Sequence, residues 1–239
     1  MSPGTFEPEL RQVCEDVYAY LQPDGSWYLN NTGFLVSSTG VISVDATSTE
    51  RRTRAYLDAI GSVTRQPVRT LVNTHHHGDH THGNYLMSGA TIVGHERCRE
   101  AILASPMPPP PGIWSDVDWG HLEPAPPFLT YTDGITLWSG DVRCQVRYVG
   151  TPAPNDSIVW IPDRQVLFAG DLLFNGGTPF ALMGSVSGWI EVLETVIPRS
   201  ARAPSCPATA RSAAPRSSTT CWPTCASSRI SRARPRRPA

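Results

Sequence analysis

The residues best suited to chemistry stand together at Thr74-His75-His76-His77-Gly78-Asp79-His80. They follow Val68-Arg69-Thr70-Leu71-Val72-Asn73, an apolar run that reads as a buried strand ending at a site. In extended backbone alternate side chains share a face, so His75, His77 and Asp79 converge while His76 turns away. Gly78 lets the chain turn sharply, which returns His80 to the same space. Imidazole and carboxylate together suit zinc and its borderline neighbours. The plainer reading is a polar loop rich in histidine; the strand-end position and the ligand spacing favour a metal.

The motif His75-x-His77-x-Asp79-His80 resembles the signature of the metallo-β-lactamase superfamily. The surrounding chain agrees over roughly residues 25–198, in the order that family requires. The resemblance implies an αββα sandwich, two mixed β-sheets face to face with helices outside and the metal site at their upper edge. It implies that His75 and His77 hold one zinc, Asp79 and His80 a second, and that Asp171 bridges them. It also gives Asp45, at a strand end, a supporting role under the metal loop. Asp79 and Asp171 then serve catalysis as well as binding, and a hydroxide activated by the metals attacks a carbonyl. A bridging Asp171 speaks against the true β-lactamases and favours relatives that open thioesters, lactones or phosphoesters. The implied partner is a small-molecule substrate.

The pattern breaks twice. Relatives carry a third histidine near the segment Gly150-Thr151-Pro152-Ala153-Pro154-Asn155-Asp156, and this chain passes from Ala153 directly to Pro154. No histidine follows His121. Asp156 or Asn155 could take that place, although neither suits zinc as well. The second break is the tail, about residues 199–239, with no acid, glycine, histidine or periodicity. At face value it is a disordered basic tail. With wobble bases chosen freely, a shifted reading frame over residues 202–228 can instead encode a strand, a Pro-Gly-His turn and an amphipathic helix. The expectation is a fold incomplete at its C-terminal end, weak zinc binding and little or no turnover. The alternative is a degenerate, non-catalytic member of the family.

The elements that must position these residues are legible from patterning. Residues 1–24 are polar with Leu10, Val13 and Val17 at spaced positions, and read as a short helix or arm. Trp27–Leu29, Gly33–Val36 and Val41–Val44 read as strands. Thr47-x-x-Glu50 reads as a capping box opening a helix through about Ile60, with Ala55, Tyr56, Ala59 and Ile60 on its apolar face. Ala90–Val93 predicts a strand and His95–Ala104 a helix. His95 and His121 read as structural or surface residues. The Pro-rich stretch Ser105–Phe128 is long for a plain connection, and its Trp114 and Trp119 are candidate substrate-binding residues in a lid or pocket wall. His82 could line the same pocket. Ile135–Trp138, Val142–Val149, Ser157–Ile161 and Gln165–Ala169 predict a second set of strands, and Trp189–Ile197 a closing helix.

At 239 residues one domain is the natural expectation. No apolar run is long enough to span a bilayer, and Met1–Leu21 lacks the apolar core of an export signal. Six scattered cysteines suit a reducing compartment, so the expected location is the cytoplasm. All 21 acidic residues precede position 199, which makes the body net negative and the tail net positive. Those arginines cluster in a patternless tail with few aromatics, so neither nucleic acid nor a membrane is an expected partner.

Overall fold

The computed structural model describes residues 8–22, 28–109, 117–150, 153–174, 179 and 183–201. Two sheets face one another. The larger has seven strands in chain order: β1 Glu9–Cys14, β2 Val17–Leu21, β3 Thr32–Ser37, β4 Gly40–Val44, β5 Val68–Val72, β6 Thr91–His95 and β7 Leu129–Tyr131. Pairing is antiparallel from β1 to β4 and parallel from β4 to β7, so this sheet is mixed. The second holds β8 Gly134–Ser139, β9 Val142–Tyr148, β10 Ser157–Ile161 and β11 Val166–Phe168, antiparallel in the order β11-β10-β9-β8.

Alternation along these strands builds three apolar layers. Leu35, Val44, Val72, Val146, Val159, Ile161 and Phe168 meet between the sheets. Their neighbours Phe34, Val41 and Leu71 point the other way and pack with Tyr56 and Ile60 of helix α1, Glu50–Val63. Across the second sheet Ile158, Trp160 and Leu167 pack with Trp189, Val192 and Ile197 of helix α4, Val186–Ala201. Strands covered on both faces are largely apolar, as β10 is, with all five residues buried and only Ser157 polar. The result is the expected αββα sandwich. Each large core side chain contributes roughly 1.5–3 kcal/mol through burial.

Three local expectations are corrected. Residues 9–21 form a hairpin, not a helix, turning at Glu15–Asp16, where Asp16 adopts a φ of 61°. Val17 and Ala19 of β2 enter the inter-sheet core, whereas Tyr18 stacks on Phe34 with ring centroids 5.0 Å apart. Tertiary pairing thus overrides the helix-like spacing of Leu10, Val13 and Val17. Tyr28 and Leu29 lie outside any strand, and Trp27 lies outside the described residues. The cap of α1 is Thr49, whose hydroxyl accepts the Arg52 N–H at 3.2 Å. Thr47 instead meets the Thr53 hydroxyl at 2.7 Å, and the helix runs on to Val63.

Candidate metal centre

Two parallel strands aim the site. β4 ends at Asp45, which turns with a φ of 63°, and β5 ends one step before Asn73 and Thr74. Val44 pairs with Val72, so the Asp45 carboxylate reaches the start of the histidine loop. Its Oδ1 accepts the Thr74 N–H at 2.7 Å, and its Oδ2 accepts the Thr74 hydroxyl at 2.7 Å. The same Oδ2 lies 2.8 Å from His80 Nδ1. A carboxylate can only accept here, so His80 carries a proton on Nδ1 and turns Nε2 inward. The Thr74 hydroxyl has given its proton to Asp45, so its oxygen is left to accept from His75 Nδ1 at 3.1 Å. One acid therefore orients two imidazoles, in the manner of the groups that hold metal-binding histidines.

Beyond Asn73 the loop enters helix α2, Gly78–Thr81, which carries Asp79 and His80 on its single turn. Facing it, Gly170 adopts a φ of +53°, and a Cβ there would meet Thr74 Oγ1 at 2.9 Å. Only glycine suits both demands, and this turn brings Asp171 under the histidines. The Leu172 carbonyl, accepting from Trp189 Nε1 at 3.0 Å, ties the turn to α4.

The nitrogens and oxygens that converge are specific. His75 Nε2 lies 3.0 Å from His77 Nδ1 and 3.6 Å from Asp171 Oδ2, and His77 Nδ1 lies 3.9 Å from that oxygen. At 3.0 Å two ring nitrogens share either a proton or a cation. A tetrahedral zinc with bonds of about 2.0–2.1 Å separates its ligands by roughly 3.3 Å, within the spread of these three distances. Among the described residues, His75, His77 and Asp171 form the one group whose ligand atoms all lie within 4.8 Å of one another. Asp171 Oδ1 turns the other way, 3.1 Å from His80 Nε2, and Asp79 Oδ2 lies 3.6 Å from that nitrogen. His80 Nε2 is buried without a well-aligned hydrogen-bond partner, the state expected of an atom poised for a cation.

Electrostatics follow from this crowding. Burial and the neighbouring His80 push the His75 imidazole down to about 4, so its ring is neutral. Burial opposes a charge on Asp171, yet His80 and His75 beside it hold its carboxyl well below the usual carboxylate range. Burial likewise disfavours a charge on His80, but Asp171, Asp79 and Asp45 outweigh it and raise this imidazole well above its ordinary value.

The segment where a further histidine was expected holds other side chains. Asn155 is fully buried and its Oδ1 accepts the His76 N–H at 3.0 Å, while its Nδ2 lies 3.0 Å from His76 Nδ1. Asp156 Oδ1 is 3.9 Å from His75 Nδ1, behind the ring rather than among the converging atoms. Neither residue takes the missing place. Burial and Asp171 raise the Asp156 carboxyl well above its usual range.

Of the aromatic residues singled out, Trp119 packs against Tyr28 and His82, with ring centroids 5.1 and 5.6 Å away, and Trp114 lies outside the described residues. His95 caps helix α3, Glu96–Ala104, and His121 is an exposed partner of Glu123. The part of Asn155 in holding His76 carried no local signal, because the two residues are 79 positions apart.

The sequence pattern of the metallo-beta-lactamase superfamily matches residues 25–202. The chain belongs to the metallo-β-lactamase superfamily. Solved members share its fold at low identity. A metallo-beta-lactamase from Pontibacter korlensis superposes with a TM-score of 0.66 at 17% identity, covering 82% of this chain and 88% of that one. The metallo-beta-lactamase IND-7 gives 0.64 at 17% identity, with 84% and 88% covered. DIM-1, solved after exposure to ceftazidime, gives 0.64 at 16% identity, with 82% and 86% covered. The superfamily is largely hydrolytic, and the His/Asp group of this chain could hold a metal.

Proposed function

We propose that this chain descends from zinc-dependent hydrolases and keeps an incomplete version of their metal centre. The observation that carries this is the convergence of His75 Nε2, His77 Nδ1 and Asp171 Oδ2 under the orienting Asp45. His75, His77 and Asp171 would hold one zinc; Asp79, His80 and the other Asp171 oxygen would hold a second. Bound there, zinc would supply Lewis acidity toward a carbonyl oxygen and acidify a water near neutral pH.

The chain's own residues supply the rest. Asp171, ionised among imidazoles, gives the pocket the negative charge that a cation requires. Asp79, its side chain 16% exposed, would accept a proton from attacking water. Trp119, packed on Tyr28 and His82, would offer an apolar wall to a small substrate bearing a thioester, lactone or related carbonyl. No described helix is long and apolar enough to cross a membrane, and buried thiols at Cys98 and Cys144 suit the cytoplasm.

Each metal lacks one histidine of the family's set, so zinc affinity falls by orders of magnitude and turnover is slight. A non-catalytic member is the second reading, favoured by Asn155, which stands in the segment of the missing histidine but is bonded to His76. The deciding assay is hydrolysis of thioester, lactone and β-lactam panels by purified protein, with and without chelator, beside His77→Ala. Slow hydrolysis lost in both controls supports the proposal. Rapid hydrolysis lost in both overturns the impairment, hydrolysis indifferent to chelator overturns the metal, and no hydrolysis with no bound zinc leaves the second reading.

A further inference from the structure

The strongest observation outside the ligand set is the cluster of Tyr28, His82 and Trp119 against Gly78. Gly78 does not adopt the left-handed conformation that favours glycine; it is absent from the positive-φ positions. Its lack of a side chain has another cause. A Cβ there would meet the Tyr28 hydroxyl at 2.1 Å and His82 Nε2 at 2.2 Å. Gly78 is thus a glycine because a phenol and an imidazole press on it.

The hydrogen bonds give that pressure a direction. Gly78 is the first residue of α2, and the side chain at the cap position, His77, makes no capping bond. The first N–H groups of a helix have no partner within it. The Tyr28 oxygen stands against Gly78 and is positioned to be that partner, an interaction that favours the phenolate while burial disfavours it. His82 Nδ1 lies 3.2 Å from the Ser48 carbonyl, which can only accept, so that nitrogen carries the ring proton. Nε2 is then the acceptor, and the Tyr28 hydroxyl lies 3.5 Å from it. Trp119 closes the cluster edge-on to both rings. Tyr28 itself sits at a φ of 60°, a conformation rarely tolerated by a bulky residue and held only where its surroundings fix it.

We propose that Tyr28, fixed by His82 and Trp119, is a positioning residue that clamps the Gly78 peptide and so sets the spacing of His77 and Asp79. It acts through the loop and touches no reacting atom. The inference rests on the metal reading, because its effect is felt as ligand geometry.

The test is Tyr28→Phe, which keeps the ring and removes the hydroxyl. Zinc affinity is read by competition with a chromophoric chelator, and exchange of the Gly78 amide is followed by NMR in the metal-free chain. Expected are zinc binding weakened about tenfold, the scale of outer-shell losses, and faster Gly78 exchange, with the thermal midpoint of the metal-free chain little changed. His82→Leu should weaken zinc similarly, and the double variant should add little to either. Undiminished affinity in Tyr28→Phe, with zinc present on the parent chain, overturns this inference alone. A parent chain that binds no zinc ends the metal reading and this inference together.

Discussion

Asp45 is the residue on which the site's geometry depends most. It accepts from Thr74 twice and from His80 once, and through the Thr74 hydroxyl it also orders His75. Asp45→Asn keeps the shape but offers an amide where His80 Nδ1 needs an acceptor. Zinc affinity should fall about 10–100-fold, as measured by chelator competition; unchanged affinity would mean that the histidines need no such guide. Gly78→Ala tests the close contact at the loop. With its Cβ at 2.1 Å from the Tyr28 hydroxyl, it should destabilise by about 1–3 kcal/mol in urea unfolding. At this scale the histidine loop was legible because His75, His77, Asp79 and His80 lie within six positions and their types suit one ion, whereas Asp171 was reached through family resemblance. The supports were harder to read: Asp45 and Thr74 are 29 positions apart, and only the β4–β5 register makes them neighbours. Gly78 was noticed for the wrong reason, since its importance is room rather than conformational freedom.

Elements were legible where both faces of a strand are buried or a helix has a clear apolar stripe. β10, β11 and α4 follow directly from such runs. β1 and β2 were misread because an edge hairpin with exposed positions shows weak alternation, and its pairing with β3 is a long-range fact. The cap of α1 shifted by two residues because Thr47, Ser48 and Thr49 all offer a hydroxyl, and tertiary contact with Thr53 claims the first. Two glycines test the account of packing between elements. A Cβ on Gly33 of β3 would meet the Tyr18 carbonyl at 2.4 Å and the Phe168 ring at 2.5 Å. Gly33→Ala should therefore cost about 1–3 kcal/mol by wedging the sheets apart. Gly61 in α1 has nothing within 4 Å of its would-be Cβ. Gly61→Ala should be neutral or stabilising by up to about 1 kcal/mol, and urea midpoints of the two variants should move in opposite directions.

The whole molecule stores the site at the junction of two sheets, where the Ser157 N–H of β10 donates to the Thr74 carbonyl at 2.9 Å. That four-layer architecture came from resemblance to a family, since strand patterns alone place no sheet on another. Burying the imidazoles there makes stability depend on pH. His75, His76 and His82 are each pushed by burial to about 4, against an ordinary value near 6.5. Between those limits the unfolded chain binds protons that the folded, metal-free chain refuses, so stability falls as pH falls. Asp156, raised in the folded chain, opposes this with a single proton. His80, raised in the folded chain, opposes it only near the top of the window, where the unfolded ring is still partly neutral, and Asp171, held low, adds to it only near the bottom. The thermal midpoint in chelator should be lower at pH 5 than at pH 7; a flat or rising midpoint would contradict the burial of neutral imidazoles. The most direct test of the central claim is anomalous diffraction at the zinc edge from crystals soaked in zinc. The account predicts a peak bounded by His75 Nε2, His77 Nδ1 and Asp171, alone or with a second among Asp79, His80 and Asp171; no peak at the first position would contradict it.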